Sequence, residues 1–182
     1  MQRDLVERAI AGDHDAFSDL VRLMSRRLYA AARLILRDDT RAEDATQEAL
    51  VVAWRDLRGL RDPDRFEAWL HRVLVRECYR HAKKERRRIE VEGQIQPLAP
   101  GGDPGHESAV KDELERGFAR LSVEQRTVLV LHHYAGYSFP EIADTLGIPV
   151  GTAKSRVHRA TSAMRAALKA DARTPRLGGT SA

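Results

Sequence analysis

The sequence predicts an all-α protein made of two small helical domains joined by a flexible linker. Three observations carry that prediction. Charged residues make up 32% of the chain and aromatics only 5%, and Arg, Ala and Leu recur while runs of Val, Ile, Thr and Tyr stay short. Apolar residues return every three or four positions along most of its length, the period of a helix buried on one side. Residues 91–107, VEGQIQPLAPGGDPGHE, then hold three Pro, four Gly and three acids with no Lys or Arg, a composition that cannot bury enough to order itself. A length of 182 residues suits two small domains. The expected division is a first domain over 1–90, the linker over 91–107, a second domain over 108–170 and a disordered tail over 171–182.

In the first domain a short helix over 3–10 ends near Gly12. A second, over 14–36, places Phe17, Leu20, Val21, Met24, Leu28, Ala31 and Ile35 on one side. RDDT (37–40) breaks the pattern. A third helix, from about 41 to 57, turns Ala45, Ala49, Leu50, Ala53, Trp54 and Leu57 inward. The loop RGLRDPDR (58–65) follows, marked by Gly59 and Pro63. A fourth helix starts near Arg65, buries Phe66, Trp69, Leu70, Val73 and Leu74, and continues into the run KKERRR.

The second domain begins with a helix over 109–120. Ser122 with Gln125, and Ser138 with Glu141, fit capping boxes. The first opens a helix from 123 to about 134 burying Val128, Leu129 and Leu131. The second opens one over 139–146 burying Ile142, Ala143 and Leu146, which Gly147 can close in a left-handed turn. Pro149 stands at or near the start of the last helix, whose inward residues are Val150, Ala153, Val157, Ala160, Met164 and Ala167.

The net charge of +4 hides two basic segments. Residues 71–88 hold eight Lys/Arg against two acids, and residues 151–176 hold seven against one, so the rest of the chain is acidic. Two such segments suggest two contacts with a polyanion, although an Arg-rich helix can also be merely a soluble surface. A helix, a short turn with Gly and a second helix make the helix-turn-helix pattern at 139–160. Its second helix leaves Thr152, Lys154, Ser155, Arg156, His158 and Arg159 outside, suited to base edges and phosphates in a major groove. On the fourth helix Arg72, Arg76, Arg80, Lys83 and Arg87 form a ridge fit for a phosphate backbone, and the loop with Arg61 and Arg65 could hold an unstacked base. On the third helix Glu43, Asp44, Gln47, Glu48 and Val51 lie off the buried stripe; they suggest a basic protein partner or an ordinary acidic face.

Catalysis and cofactors find no support. His132 and His133 lack the one-turn spacing of a helical metal pair, and His14, His71, His81, His106 and His158 are scattered. No phosphate-cradling glycine loop, nucleophile motif or cluster of metal carboxylates is visible. The single Cys78 excludes an internal disulfide and a cysteine-built zinc site, and a packing role is expected for it. No stretch approaches the ~20 apolar residues that span a bilayer. The opening MQRDLVERAIAGDHDAF lacks the apolar core of a secretion signal, so a cytoplasmic protein is expected.

AEDATQEALVVAW (42–54), FEAWLHRVLVRECYRHAKKERRR (66–88) and YSFPEIADTLGIPVGTAKSRVHRA (137–160), with AGDHDAFSDLVR (11–22), together resemble the extracytoplasmic-function sigma factors of bacteria, the smallest members of the sigma-70 family. The resemblance covers about residues 3–170. It implies a region-two domain followed by a region-four domain, and core RNA polymerase and promoter DNA as partners. Asp44, Gln47 and Glu48, with Val51 beside them, would dock on the clamp helices of the beta-prime subunit, and region four on the beta flap. Arg61, Arg65, Arg72, Arg76, Arg80, Lys83 and Arg87 would meet the minus-ten element and help open it. Thr152, Lys154, Ser155, Arg156, His158 and Arg159 would read the minus-35 element as duplex. Family members are commonly held by an anti-sigma factor, which is a candidate partner here. The chain departs from the family at Arg76 and Arg80, where Asn and Asp are frequent, and at Lys154, where Arg is frequent; each bears on promoter preference. A stand-alone helix-turn-helix regulator is the alternative, but no apolar heptad seam offers it a dimer surface.

Overall fold

The computed structural model describes residues 2–92 and 109–173, so the expected linker from residue 93 and tail from residue 174 lie outside the described residues. Every regular element among the described residues is helical. Asp13 sits where the first two helices meet, α1 (Gln2–Ile10) and α2 (His14–Leu36). Its Oδ1 accepts from the N–H groups of Asp15 and Ala16, both at 3.0 Å, and its Oδ2 accepts from Arg8 Nε at 2.9 Å. One carboxylate thus caps α2 and holds the end of α1 against it. Arg37 closes α2 in the left-handed region, φ 56°, and Asp38 caps α3 (Asp39–Asp56) by accepting from Arg41 N–H at 2.7 Å. RDDT therefore breaks the helix as expected, with its last two residues already in α3.

On α3, Ala42, Ala45, Ala49 and Ala53 are all fully buried, and this side packs on α2 and on α4 (Phe66–Glu92). On the α3 side these contacts are made by small side chains, which permits close approach. Leu20, Leu28 and Ile35 of α2, Leu57, and Leu70 and Leu74 of α4 fill the core. Trp54 and Leu50 are only half-buried; the Trp54 ring lies 4.8 Å from Phe17 and 4.5 Å from His14. The connecting loop is shaped by 3-10 turns at Leu57–Gly59 and Pro63–Arg65, with Asp62 accepting from Asp64 N–H at 3.1 Å. Cys78 is buried in α4, and burial pushes its thiol up to about 12, as befits a side chain that only packs. The helix itself runs to Glu92, two residues past the expected domain edge.

The second module comprises α5 (Ala109–Ala119), α6 (Val123–Leu129), α7 (Phe139–Leu146) and α8 (Val150–Arg173). Both capping boxes are formed, and Gly147 closes α7 at φ 64°. The Pro149 carbonyl accepts from the N–H groups of Thr152 and Ala153 at 2.9 and 3.0 Å, so the proline stands just before α8. α5 lies so close to α8 that a Cβ at Gly117 would come within 2.7 Å of Met164 Cε.

Two expectations for this module need correction. Val150 is 49% exposed rather than buried, because it opens α8 beyond the edge of the helices that cover Ala153 and Val157. The helix predicted over 123–134 also changes form: after Leu129 it widens into a π turn, Val130–Tyr134, with Ala135 N–H reaching Val130 O at 2.9 Å. Residues 127–131 are all buried. A one-sided helix cannot do this; α6 has α8 on one side and α2 and α4 of the first module on the other.

Removing the hydroxyl that caps α7, Ser138→Ala, is expected to cost about 1 kcal/mol in urea unfolding, while Ser138→Asp, which keeps an acceptor, loses less.

Candidate nucleic-acid interface

The ridge predicted on the fourth helix exists, but its arginines are not equivalent. Arg76, Lys83 and Arg87 are exposed and carry no ion pair among the described residues. Arg61 is exposed on the loop. Arg80 pairs with Glu48 of α3 and lies 2.6 Å from Glu77, one turn back on its own helix. Arg65 and Arg72 both reach Asp144 of the second module, at 2.9 and 2.6 Å.

On the acidic side of α3, Asp44 and Gln47 are exposed and Val51 is 66% exposed, a large apolar side chain left in water. Glu48 differs from these neighbours. Its Oε2 accepts from His81 Nε2 at 2.6 Å as well as from Arg80. Burial pushes its carboxyl up, but His81 and Arg80 outweigh that and hold it below the usual carboxylate range. The acidic face and the basic ridge therefore share an edge, and Glu48 is the residue that joins them.

Of the six residues expected on the reading helix, Lys154, Ser155, Arg156, His158 and Arg159 are exposed and Thr152 is half-buried. Lys154, Ser155 and His158 line an open groove of about 470 Å³ that also takes in His132, His133 and Arg165. No carboxylate lines it. His132 is held in place by Tyr137 O, 2.8 Å from its Nδ1, and by stacking on Phe139 at 5.2 Å. Beside the groove, the Arg159 guanidinium reaches back to Ser155 O and Oγ at 3.3 and 3.4 Å, and Ser155 Oγ donates to Thr152 O at 3.0 Å. Arg156 lies toward Glu124; a bond from Ser122 chiefly, and Arg156 in part, hold that carboxyl down. Exposed cations along α8, beside a groove that no carboxylate lines, suit a duplex lying along that helix.

Four residues of the second module, or facing it, were not singled out for a site from the sequence. Arg126 donates from Nε to Ile35 O at 2.6 Å and from Nη1 to Leu121 O at 2.7 Å, and burial, followed by repulsion from Arg37, lowers its pKa to about 10. His71 and Tyr137 meet across the modules, Nδ1 to Oη at 2.9 Å, with both side chains buried. His71 Nδ1 is also 3.0 Å from Glu67 O. Asp144 is the fourth. The sequence signal was thin: a charged or polar residue amid each apolar stripe, with nothing to say which partner it would find. Among the described residues no group of three or more His, Cys, Asp or Glu could hold a metal ion, and no helix is long and apolar enough to cross a membrane.

Two family models match the chain in order, the one described as Sigma-70 region 2 over residues 20–88 and the one described as Sigma-70, region 4 over residues 111–164. The chain is similar to the ECF RNA polymerase sigma factor SigM of Mycobacterium tuberculosis, 33% identical over 157 residues that cover 86% of this chain and 79% of that protein. Two solved structures share the fold. One is CnrH in complex with the cytosolic domain of CnrY, with TM-score 0.68, 30% identity and coverage of 93% of this chain and 98% of that one. The other is the sigma factor RpoE in complex with the anti-sigma factor NepR from Bartonella quintana, with TM-score 0.72, 28% identity and coverage of 85% and 98%.

Burial pushes the His71 imidazole below its ordinary 6.5. Above that value the folded and unfolded chains both hold it neutral. As pH falls through it, the unfolded chain takes a proton that the folded chain resists, and stability is lost. Urea midpoints measured from about pH 7 to about pH 5.5 are expected to fall more steeply for the wild type than for His71→Gln; equal slopes would remove His71 from the account.

Proposed function

The chain belongs to the extracytoplasmic-function sigma factors of the sigma-70 family, and on that premise we propose that it directs core RNA polymerase to promoters carrying matched minus-35 and minus-ten elements and helps to melt the second. Sigma factors are not themselves enzymes; they lend specificity to one. The observation that carries the proposal is the pairing, on one chain and in order, of a region-two module with a basic ridge on α4 and a region-four module with a basic helix α8. Region four reads duplex through α8. Region two offers Arg76, Lys83 and Arg87 to the phosphates of the opened strand, and the loop with Arg61 takes an unstacked base. Asp44, Gln47 and Val51 form the contact with the beta-prime clamp helices: two polar groups and an apolar side chain already exposed to a partner. Glu48 stands behind them and sets the position of Arg80. Region four meets the beta flap. One solved relative was captured with the anti-sigma factor NepR and the other with the cytosolic domain of CnrY, and an anti-sigma factor is proposed for this chain too. Function then lies in the cytoplasm, with the polymerase.

Within the groove of region four, His132, His133 and Arg165 extend the surface beyond the helix start, and no acid opposes a phosphate there. Lys154 holds a phosphate as a point charge, whereas Arg159 offers the planar fork that matches guanine.

Purified chain with core polymerase is expected to yield run-off RNA from a matching promoter, and the double variant Asp44→Ala, Gln47→Ala to need more chain for half-maximal RNA while binding an isolated minus-35 duplex as before. A stand-alone regulator would instead yield no RNA with core polymerase, whatever duplex it binds. In duplex binding, Arg159→Ala should lose about 1–3 kcal/mol and blur base preference. Arg165→Ala should weaken all sequences alike and lower the salt slope by about one.

A further inference from the structure

Asp144 occupies an arginine site that belongs to the other module. Its Oδ2 accepts from Arg72 Nη2 at 2.6 Å and from Arg65 Nη2 at 2.9 Å. Both arginines lie on the surface assigned above to the minus-ten element, whereas Asp144 lies on α7, the helix that leads into the reading helix. Two guanidinium groups converging on one oxygen make an anion site. A second feature shows that the carboxylate fills this site incompletely: Arg72 Nε is buried and has no hydrogen-bond partner. Such an orphan donor is costly to leave unmade. Asp144 meets both guanidinium groups through Oδ2 alone, whereas a phosphodiester, not tethered to α7, is free to turn a second oxygen toward Nε.

The closed arrangement also conflicts with simultaneous promoter contact. The two elements are centred about 25 base pairs apart, roughly 85 Å of duplex at about 3.4 Å per base pair. Here a residue of α7 touches a residue of the ridge. Engaging both elements at once requires the modules to part. The other contacts across the seam must give way as well: Arg126 meets Ile35 O at 2.6 Å, Arg33 meets Glu115 at 3.4 Å, Tyr137 meets His71 through one hydrogen bond, and α6 packs on α2 and α4. Asp144 is 44% exposed and Arg65 61% exposed, so salt screens the pair and an incoming polyanion can displace it.

We propose that Asp144 is an internal stand-in for a DNA phosphate. Bound to Arg65 and Arg72, it folds region four over part of the minus-ten surface of region two, and a phosphodiester takes its place when the modules separate. The proposal rests on the sigma-factor reading above and adds the regulation of that same surface. By linkage, whatever parts the modules raises the affinity of Arg65 and Arg72 for single-stranded DNA, and single-stranded DNA in turn favours the open chain.

The test uses the full chain with dyes at Leu23→Cys and Ala166→Cys, both exposed positions; Cys78 is buried and stays unlabelled. In low salt the wild type should show high energy transfer, reduced by a mixed-sequence single strand of about 20 nucleotides. Asp144→Asn, which keeps shape and removes charge, should show lower transfer without DNA and bind the strand about fivefold or more tightly. In a chain already carrying Arg65→Ala and Arg72→Ala, adding Asp144→Asn should move neither readout. Wild-type transfer and affinity in Asp144→Asn overturn the proposal, and so does a loss of transfer with unchanged DNA affinity. Run-off transcription with the same proteins separates the two levels. If Asp144→Asn leaves transfer and affinity unmoved while RNA is still made, only the stand-in falls. If the wild type makes no RNA from any promoter, the sigma-factor reading falls first.

Discussion

The arrangement of the two modules depends on one guanidinium. Arg126 is taken largely out of water, and a buried charge is tolerated only where its donors are used. Its Nε serves Ile35 O, in the last turn of α2, and its Nη1 serves Leu121 O, just past the end of α5. The Ile35 carbonyl is among the groups that a helix cannot satisfy by itself, and it lies at the negative end of the α2 dipole. One side chain of the second module therefore completes a helix of the first. Although burial and the nearby Arg37 lower its pKa to about 10, Arg126 remains a cation at neutral pH. Its charge is met by oriented carbonyls rather than by a carboxylate.

Around that anchor the seam combines separate polar contacts with an apolar centre. Tyr137 with His71, Arg33 with Glu115, and Asp144 with Arg65 and Arg72 each join the modules through a few atoms. Apolar closure comes mainly from α6, whose buried residues 127–131 face α8 on one side and the first module on the other. The buried apolar residues of the two modules form one cluster, with these polar contacts around it.

The same electrostatics run through the ridge. Packing eight Lys/Arg into residues 71–88 creates a surface that attracts any anion within reach. In the free chain the available anions are its own carboxylates. Glu48 and Glu77 take Arg80, and Asp144 takes Arg65 and Arg72, while Arg76, Lys83 and Arg87 remain open. Partly exposed pairs contribute little individually and are screened by salt. The acids therefore order the arginines without holding them fast.

Local features were legible in the sequence because local rules govern them. The helix class, both capping boxes, the left-handed Gly147, the alanine stripe of α3 and the burial of Cys78 each follow from residues a few positions apart. So did the ridge on α4, since residues three and four apart must share a face. Contacts between residues far apart in sequence were not legible. Nothing near Asp144 marks it as the partner of Arg72, 72 positions away, and nothing near Arg126 points to Ile35, 91 positions away. Val150 looked buried because its spacing matched the stripe, yet spacing alone cannot tell where the covering helices end. The π turn escaped for a related reason: the pattern at 123–134 describes one buried face, whereas the fold covers two. The sequence by itself determined which helices form and which charges they display, because those depend on neighbours along the chain. Only the tertiary structure decided which charges are already spoken for, because that depends on which helices are brought side by side.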